Sequence, residues 1–280
     1  MEQTDTIAHV TQIVRRSGSS FYWAMRMLPR AKREAMYTIY AFCREVDDIA
    51  DDPGQSRDKM ARLAGWRVEI ERLFAGHPRT PVGQALIDPV RRFELPKPVF
   101  LAIIEGMEID SADRVRMPTL TALEDYCDRV ACAVGRLSNH VFGIDDELGE
   151  PVAYALGQAL QLTNILRDLE EDAATDRLYL PADMLAVHGI PRANPTLVLR
   201  HPAFPRVCED LAGIVERRYQ EADAALHGCS ARIMRPARLM MQNYRRVFDK
   251  LCARGWAAPE QPVSLGKGQK LWLLFRYGLI

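Results

Sequence analysis

The sequence carries no net charge, because 37 basic and 37 acidic residues cancel. No long basic block interrupts the mixture, which argues against nucleic acid as a partner. No apolar run approaches the ~20 residues a helix needs to span a bilayer. The first residues, Met1, Glu2, Gln3, Thr4 and Asp5, lack the basic, apolar and small-residue succession of a secretory signal. Cysteines at 43, 127, 132, 208, 229 and 252 never form CxxC, so reduced, mostly core thiols of a cytoplasmic protein are expected. Alternating period-two segments, internal repeats, a GxGxxG and a P-loop are also missing. Glycine and proline, 17 of each, are at ordinary levels and give no sign of disorder.

What is present is helical periodicity over most of the chain, with 48% hydrophobic residues to build a core. Breakers such as Asp52-Pro53-Gly54 and Gly76-His77-Pro78 divide it into helices near Ala31 to Asp51, Met60 to Phe74, Pro81 to Phe93, Pro98 to Ile109 and Thr121 to Phe142. Leu156 to Asp172, Phe204 to Leu226 and Pro236 to Cys252 continue the pattern. At 280 residues the chain is large for one domain, yet no linker-like stretch divides it. The expected fold is all-α: one domain over residues 1–280, roughly ten helices around a central apolar cavity. The tail, Lys267 to Ile280, mixes Trp272, Leu273, Leu274 and Phe275 with Lys270 and Arg276. It could pack on the body or lie at a membrane surface.

Two stretches carry the chemistry. In Leu156 to Asp172, Gln161, Asn164, Asp168 and Asp172 recur at helical steps and share a face beside the apolar stripe. Two carboxylates one turn apart with an amide upstream make an all-oxygen cluster suited to Mg²⁺ bridged to phosphate. A single DxxxD is more often a solvated helix face, but the spacing recurs in Tyr40 to Asp52. There the doubled acids allow Asp47 with Asp51 or Asp48 with Asp52; at 100° per residue the first pair borders the apolar stripe and is the inward one. Arg44 falls on the same face, where it can hold a phosphate bidentately or pair with the acids. Two acid helices facing one apolar cavity imply departure of a diphosphate from an apolar substrate, in a space that excludes water.

These residues resemble those of the squalene and phytoene synthase family of head-to-head isoprenoid synthases. The likeness runs from about Ser17 to about Leu274 and rests on Tyr40-Ala41-Phe42-Cys43-Arg44 with Asp47 and Asp51, on Tyr126-Cys127 with Val130-Ala131, and on Gln161, Asn164, Ile165, Arg167, Asp168 and Asp172. The resemblance implies an all-α isoprenoid-synthase bundle, Mg²⁺ at Asp47, Asp51, Asp168 and Asp172, and prenyl diphosphates as substrates. It further implies that Ser20, Tyr40, Arg44, Gln161, Asn164, Arg167 and Tyr244 form the substrate site, and that Tyr126 lines the reaction centre.

Two departures refine the likeness. Of an N-terminal Ser-x-Ser-Phe, only Ser20 and Phe21 carry over, because Gly18 stands where the first serine would be. Arg129 replaces a tyrosine usual in squalene and phytoene synthases, which resembles the bacterial hopanoid-pathway branch. That branch joins two farnesyl diphosphates to presqualene diphosphate and releases it to downstream squalene-forming enzymes. On this reading Arg129 helps retain the second diphosphate; the alternative is that it pairs with Asp125, Asp128 or another acid on a helix surface. Squalene, dehydrosqualene and phytoene synthases would share every metal ligand. A non-catalytic scaffold would have lost acids that are present here.

Overall fold

Capping residues and prolines cut the chain into helices where the sequence places them. Thr80 accepts a hydrogen bond from the Gly83 amide at 2.9 Å ahead of a helix that begins at Pro81, and Thr119 does the same for the Ala122 amide. The computed structural model describes residues 3–16, 20–191 and 194–264. The tail from Lys267 therefore lies outside the described residues. The helices are α1 (Gln3–Arg16), α2 (Ser20–Arg26), α3 (Arg30–Asp51), α4 (Ser56–Phe74), α5 (Pro81–Arg92), α6 (Lys97–Asp110), α7 (Leu120–Cys127) and α8 (Ala133–Phe142). They continue as α9 (Asp146–Arg167), α10 (Leu169–Ala174), α11 (Ala182–Val187), α12 (Pro195–Leu199), α13 (Phe204–His227) and α14 (Arg235–Arg254). The fold is all-α, and among the described residues no helix is long and apolar enough to cross a membrane.

Three features depart from simple periodicity. The helix expected over Thr121 to Phe142 holds a π-turn, Asp128–Cys132, between α7 and α8, which advances the facing of every later residue. The helix expected over Leu156 to Asp172 breaks at Asp168 (φ −101°, ψ 16°), so its polar stripe spans α9 and α10. The Asp172 amide still donates to the Asp168 carbonyl at 2.9 Å, which keeps the two carboxylates one turn apart. Last, two strands of two residues each, β1 (Val115–Arg116) and β2 (Arg177–Leu178), pair in parallel. They are too short to show an alternating pattern, and they bring Arg177 back beside the ends of α3 and α6.

Buried side chains from most of these helices form one apolar cluster, with Phe42 edge-on to both Trp66 and Phe100 at 5.3 and 5.2 Å between ring centroids. Inside it, α8 and α9 pack as an antiparallel hairpin. Gly143 makes the turn in the left-handed region (φ 73°). Gly157 lets the backbones close: a β-carbon there would sit 2.7 Å from the Cys132 backbone nitrogen and α-carbon. Gly157→Ala is therefore expected to cost ~1–3 kcal/mol by overpacking. Gly213→Ala, exposed inside α13 with nothing within 4 Å, should instead stabilise by up to ~1 kcal/mol through helix propensity. Urea denaturation of the two variants checks both signs.

Candidate active site

Helix α3 lines an apolar cavity of about 270 Å³ with Met36, Ile39, Tyr40 and Cys43. The same face, continued by steps of three and four, reaches Asp47 and then Asp51, the last residue of α3. Helix α9 lines another wall with Leu156, Leu160, Gln161 and Asn164, and runs in the same sense to Arg167 and Asp168. Both acid motifs therefore stand at helix C-terminal ends, where the backbone dipoles add negative potential to that of the carboxylates.

Arg177 ties the end of α3 to that of α6. Its guanidinium donates to the Asp51 carboxylate at 3.1 Å, to the Ala50 carbonyl at 2.9 Å and to the Asp110 carbonyl at 3.2 Å, so one cation serves the C-termini of α3 and α6. Asp110 itself is almost wholly buried and accepts from the Tyr126 hydroxyl at 2.8 Å and the Tyr179 hydroxyl at 2.6 Å. The two rings stack with centroids 5.1 Å apart. Burial pushes the Asp110 carboxyl up to about 6 despite both donors and the nearby Arg177 charge. Burial, and then the Asp51 charge, push Asp47 up to about 6. Burial and the Asp168 charge push Asp172 up to about 7. The centre is short of positive charge.

A second chain of polar groups runs along α9 to α14. The Asn164 amide nitrogen donates to the Gln161 side-chain oxygen at 3.3 Å. Half-buried Tyr244 lies within hydrogen-bonding reach of both Asn164 and Arg167. Arg167 in turn donates to both Asp168 oxygens, at 2.7 and 2.6 Å. On α3, Arg44 reaches Asp47 at 3.0 Å and Asp48 at 2.5 Å, which spreads one guanidinium over both acid registers. Asp52 points elsewhere, to Arg62 of α4 at 2.7 Å.

The structure thus brings together Tyr40, Arg44, Asp47, Asp51, Gln161, Asn164, Arg167, Asp168, Asp172 and Tyr244. Tyr126 stands beneath the acids, bound to Asp110, rather than on the wall of the apolar cavity. Arg129 is not brought to this centre. It donates to the Asp125 carbonyl at 2.8 Å and pairs with Glu105 of α6 at 3.6 Å. The extra residue of the π-turn directs Val130 and Ala131 to the cavity and Arg129 outward, so the surface ion pair is the reading its geometry supports. Ser20 opens α2, and its side chain lies outside the described residues. Sequence reasoning missed Arg177, Tyr179 and Asp110. The first two share a side of an extended Arg-Leu-Tyr segment, a signal available directly after the second acid cluster.

The donor set fits a hard divalent cation. Every candidate ligand is an oxygen, and the buried Asn164 side-chain oxygen has no hydrogen-bond partner, leaving an acceptor free at the polar end of the cavity. Among the described residues, no three Asp, Glu, His or Cys side chains form a metal cage by themselves.

Comparison with known proteins shows the family and the fold. The model of the squalene/phytoene synthase family matches residues 14–269. A presqualene diphosphate synthase of Zymomonas mobilis subsp. mobilis is 46% identical over 92% of this chain and 88% of its own length. One of Sinorhizobium fredii is 41% identical over 99% of both chains. The crystal structure of a squalene synthase from Alicyclobacillus acidocaldarius superposes with a TM-score of 0.81 at 27% identity, covering 93% of this chain and 96% of that one.

The raised carboxyls have a consequence for stability. Asp110 and Asp172 hold protons more tightly when folded than in the unfolded chain, where an aspartate titrates near ~3.9. Their contribution is therefore greatest at the acidic end of the window and is lost as pH rises from about 4 through 6–7. Through these two groups metal-free protein should melt lower at pH 7.5 than at pH 5, and Asp110→Asn should flatten that slope. Differential scanning calorimetry at the two pH values checks it; a slope unchanged in Asp110→Asn contradicts the assignment.

Proposed function

Because the chain belongs to the squalene/phytoene synthase family, we propose that it is the prenyltransferase that condenses two farnesyl diphosphates head to head into presqualene diphosphate. The observation that carries this reading is the apolar cavity lined by α3 and α9, each of which runs on from its cavity wall toward a carboxylate pair, Asp47 with Asp51 and Asp168 with Asp172. Likeness to presqualene diphosphate synthases over most of the chain supports the choice of product.

In this reading the whole chain works as one catalytic domain. Asp47, Asp51, Asp168 and Asp172, joined by the Asn164 oxygen, hold Mg²⁺. When bound, the ion supplies positive charge to a departing diphosphate and orients it. Arg44 and Arg167, which pair with Asp47 and Asp168, would donate to diphosphate oxygens if those carboxylates held the ion, with Tyr244 and Gln161 completing the polar rim. The carbon–oxygen bond of one substrate breaks, and the electron pair leaves with the diphosphate. New carbon–carbon bonds to the second substrate form with loss of one proton. Meanwhile Met36, Ile39, Leu156 and Leu160 keep water from the cationic carbon. The second diphosphate stays on the product. The enzyme acts in the cytoplasm, in peripheral contact with the membrane into which the hydrocarbon part of its amphiphilic product partitions.

Product analysis of purified protein with radiolabelled farnesyl diphosphate and Mg²⁺, with and without NADPH, tests the reading. Presqualene diphosphate in both mixtures is expected. Squalene formed only with NADPH, or C30 hydrocarbon formed without it, would assign the chain to a different reaction of the family. The residue assignment makes a separate prediction. Asp47→Asn and Asp168→Asn should each lower kcat by ~10²–10³-fold with the fold intact. Asp52→Asn, whose partner is Arg62, should stay within a few-fold of the unaltered enzyme. Steady-state kinetics at saturating Mg²⁺ decides it, and an Asp52→Asn loss equal to that of Asp47→Asn would refute the register.

A further inference from the structure

A π-turn interrupts the regular hydrogen-bond ladder of a helix, so it persists where its surroundings favour it. In the turn Asp128–Cys132 the Ala133 amide donates to the Asp128 carbonyl, five residues back. The extra residue changes the phase of the helix. Eight α-helical steps of ~100° would leave the side chains of Asp128 and Arg136 about 80° apart around the axis. With one step taken up by the π-turn, the two stand as residues seven apart do in a regular helix, within roughly 20° of one line. Tyr126 of α7 and Val134 of α8 have the same spacing. The turn therefore sets Tyr126, bound to Asp110, on the face that continues into the cavity wall at Val134.

Arg136 bridges the turn. It donates twice to the Asp128 carboxylate, at 3.0 and 2.7 Å, and twice to Glu150 of α9, at 2.8 and 2.6 Å. Side chains on a helix lean toward its N-terminus, which carries Arg136 back over the turn to Asp128. Isolated surface ion pairs add little, but this guanidinium is bidentate on both sides and only 25% exposed. Gly106 and Gly157 leave room for the turn against α6 and α9. Room alone does not select it. The Asp128–Arg136 pair does, because the two side chains come into line only when the extra residue is accommodated.

We propose that Arg136, through Asp128, holds the π-turn in place and is a positioning residue for the apolar wall that receives the prenyl chain. It sets the phase between α7 and α8, so that Val130, Ala131 and Val134 face the cavity while Tyr126 keeps its place on Asp110. The inference deepens the proposed function and rests on it for the identity of the chain. Arg136 itself lies outside the set of residues that line the cavity. Glu150, on the other side of the guanidinium, ties α8 to α9 without spanning the turn, and so provides a control.

The test is calorimetric titration of the full chain, with Mg²⁺, by farnesyl S-thiolodiphosphate and by inorganic diphosphate, with the Tm of each variant measured alongside. Arg136→Met should weaken binding of the farnesyl analogue about tenfold, the size of effect expected when apolar contacts in a pocket are misplaced. Binding of inorganic diphosphate should stay within about twofold, because the acids stand on α3, α9 and α10, which the turn does not carry. Asp128→Ala, which leaves Arg136 on Glu150, should give the same pattern, and it carries the test if Arg136→Met melts at the assay temperature. Glu150→Gln should lower Tm and change neither affinity. Folded Arg136→Met and Asp128→Ala that bind the farnesyl analogue as the unaltered protein does would overturn the inference and leave the proposed function standing. So would a Glu150→Gln loss equal to that of Asp128→Ala, which would make Arg136 a staple between helices and nothing more. Protein that shows the expected pattern yet forms no product from farnesyl diphosphate contradicts the function and leaves the positioning role intact.

Discussion

Burial of carboxylates at helix C-termini, sharpened by their repulsion of one another, is the constraint on which the rest of this molecule depends. Asp51 ends α3, Asp110 ends α6, Asp168 follows α9 and Asp172 lies in the six-residue α10. Like charges one turn apart on a single exposed helix cost only a few tenths of a kcal/mol. Withdrawn from water and added to the negative ends of helix dipoles, they cost more, and the raised carboxyls of Asp47, Asp110 and Asp172 register that cost. The fold offsets part of it with arginines: Arg44 on Asp47, Arg167 on Asp168 and Arg177 between α3 and α6. What remains is an electrostatic demand that divalent cations and a diphosphate can meet together, which is how stability forgone in the free protein becomes ligand affinity.

Chemistry and cavity are coupled through helix direction. The apolar wall and the acids are successive turns of the same helices, so on the proposed function an apolar chain lying along α3 and α9 would bring its diphosphate end to the acids. Small residues make this arrangement compact enough to exclude water. Gly157 admits the Cys132 backbone, and a β-carbon at Gly106 would strike the Val130 side chain at 2.4 Å, so the π-turn is gripped from α6 and α9 at once. That grip fixes which side chains of the turn face the cavity: Val130 and Ala131 do, and Arg129 does not.

The all-α fold and the two acid pairs were legible in the sequence because both depend on helical periodicity, which is local. Spacing alone marked Asp47 with Asp51 and Asp168 with Asp172, and the wheel set the first pair apart from Asp48 and Asp52; the structure turns Asp52 to Arg62, while Asp48 shares Arg44 with Asp47. The facing of Arg129 was not legible, since a π-turn breaks the 3.6-residue rule on which any wheel relies. The break at Asp168 was hidden because Asp172 keeps its hydrogen bond across it. Asp110, Tyr126, Tyr179 and Arg177 meet only through contacts between distant segments, 67 residues apart for Arg177 and Asp110. Their role as the clamp between acid helices needed three dimensions.

The central claim is that the two acid helices form one cation-dependent diphosphate clamp. Its most direct test is calorimetric titration of inorganic diphosphate into the purified protein, with and without Mg²⁺. The account predicts binding only when Mg²⁺ is present, and its loss when either Asp47 or Asp168 is changed to asparagine. Equal binding in the absence of Mg²⁺, or undiminished binding in both variants, would contradict it.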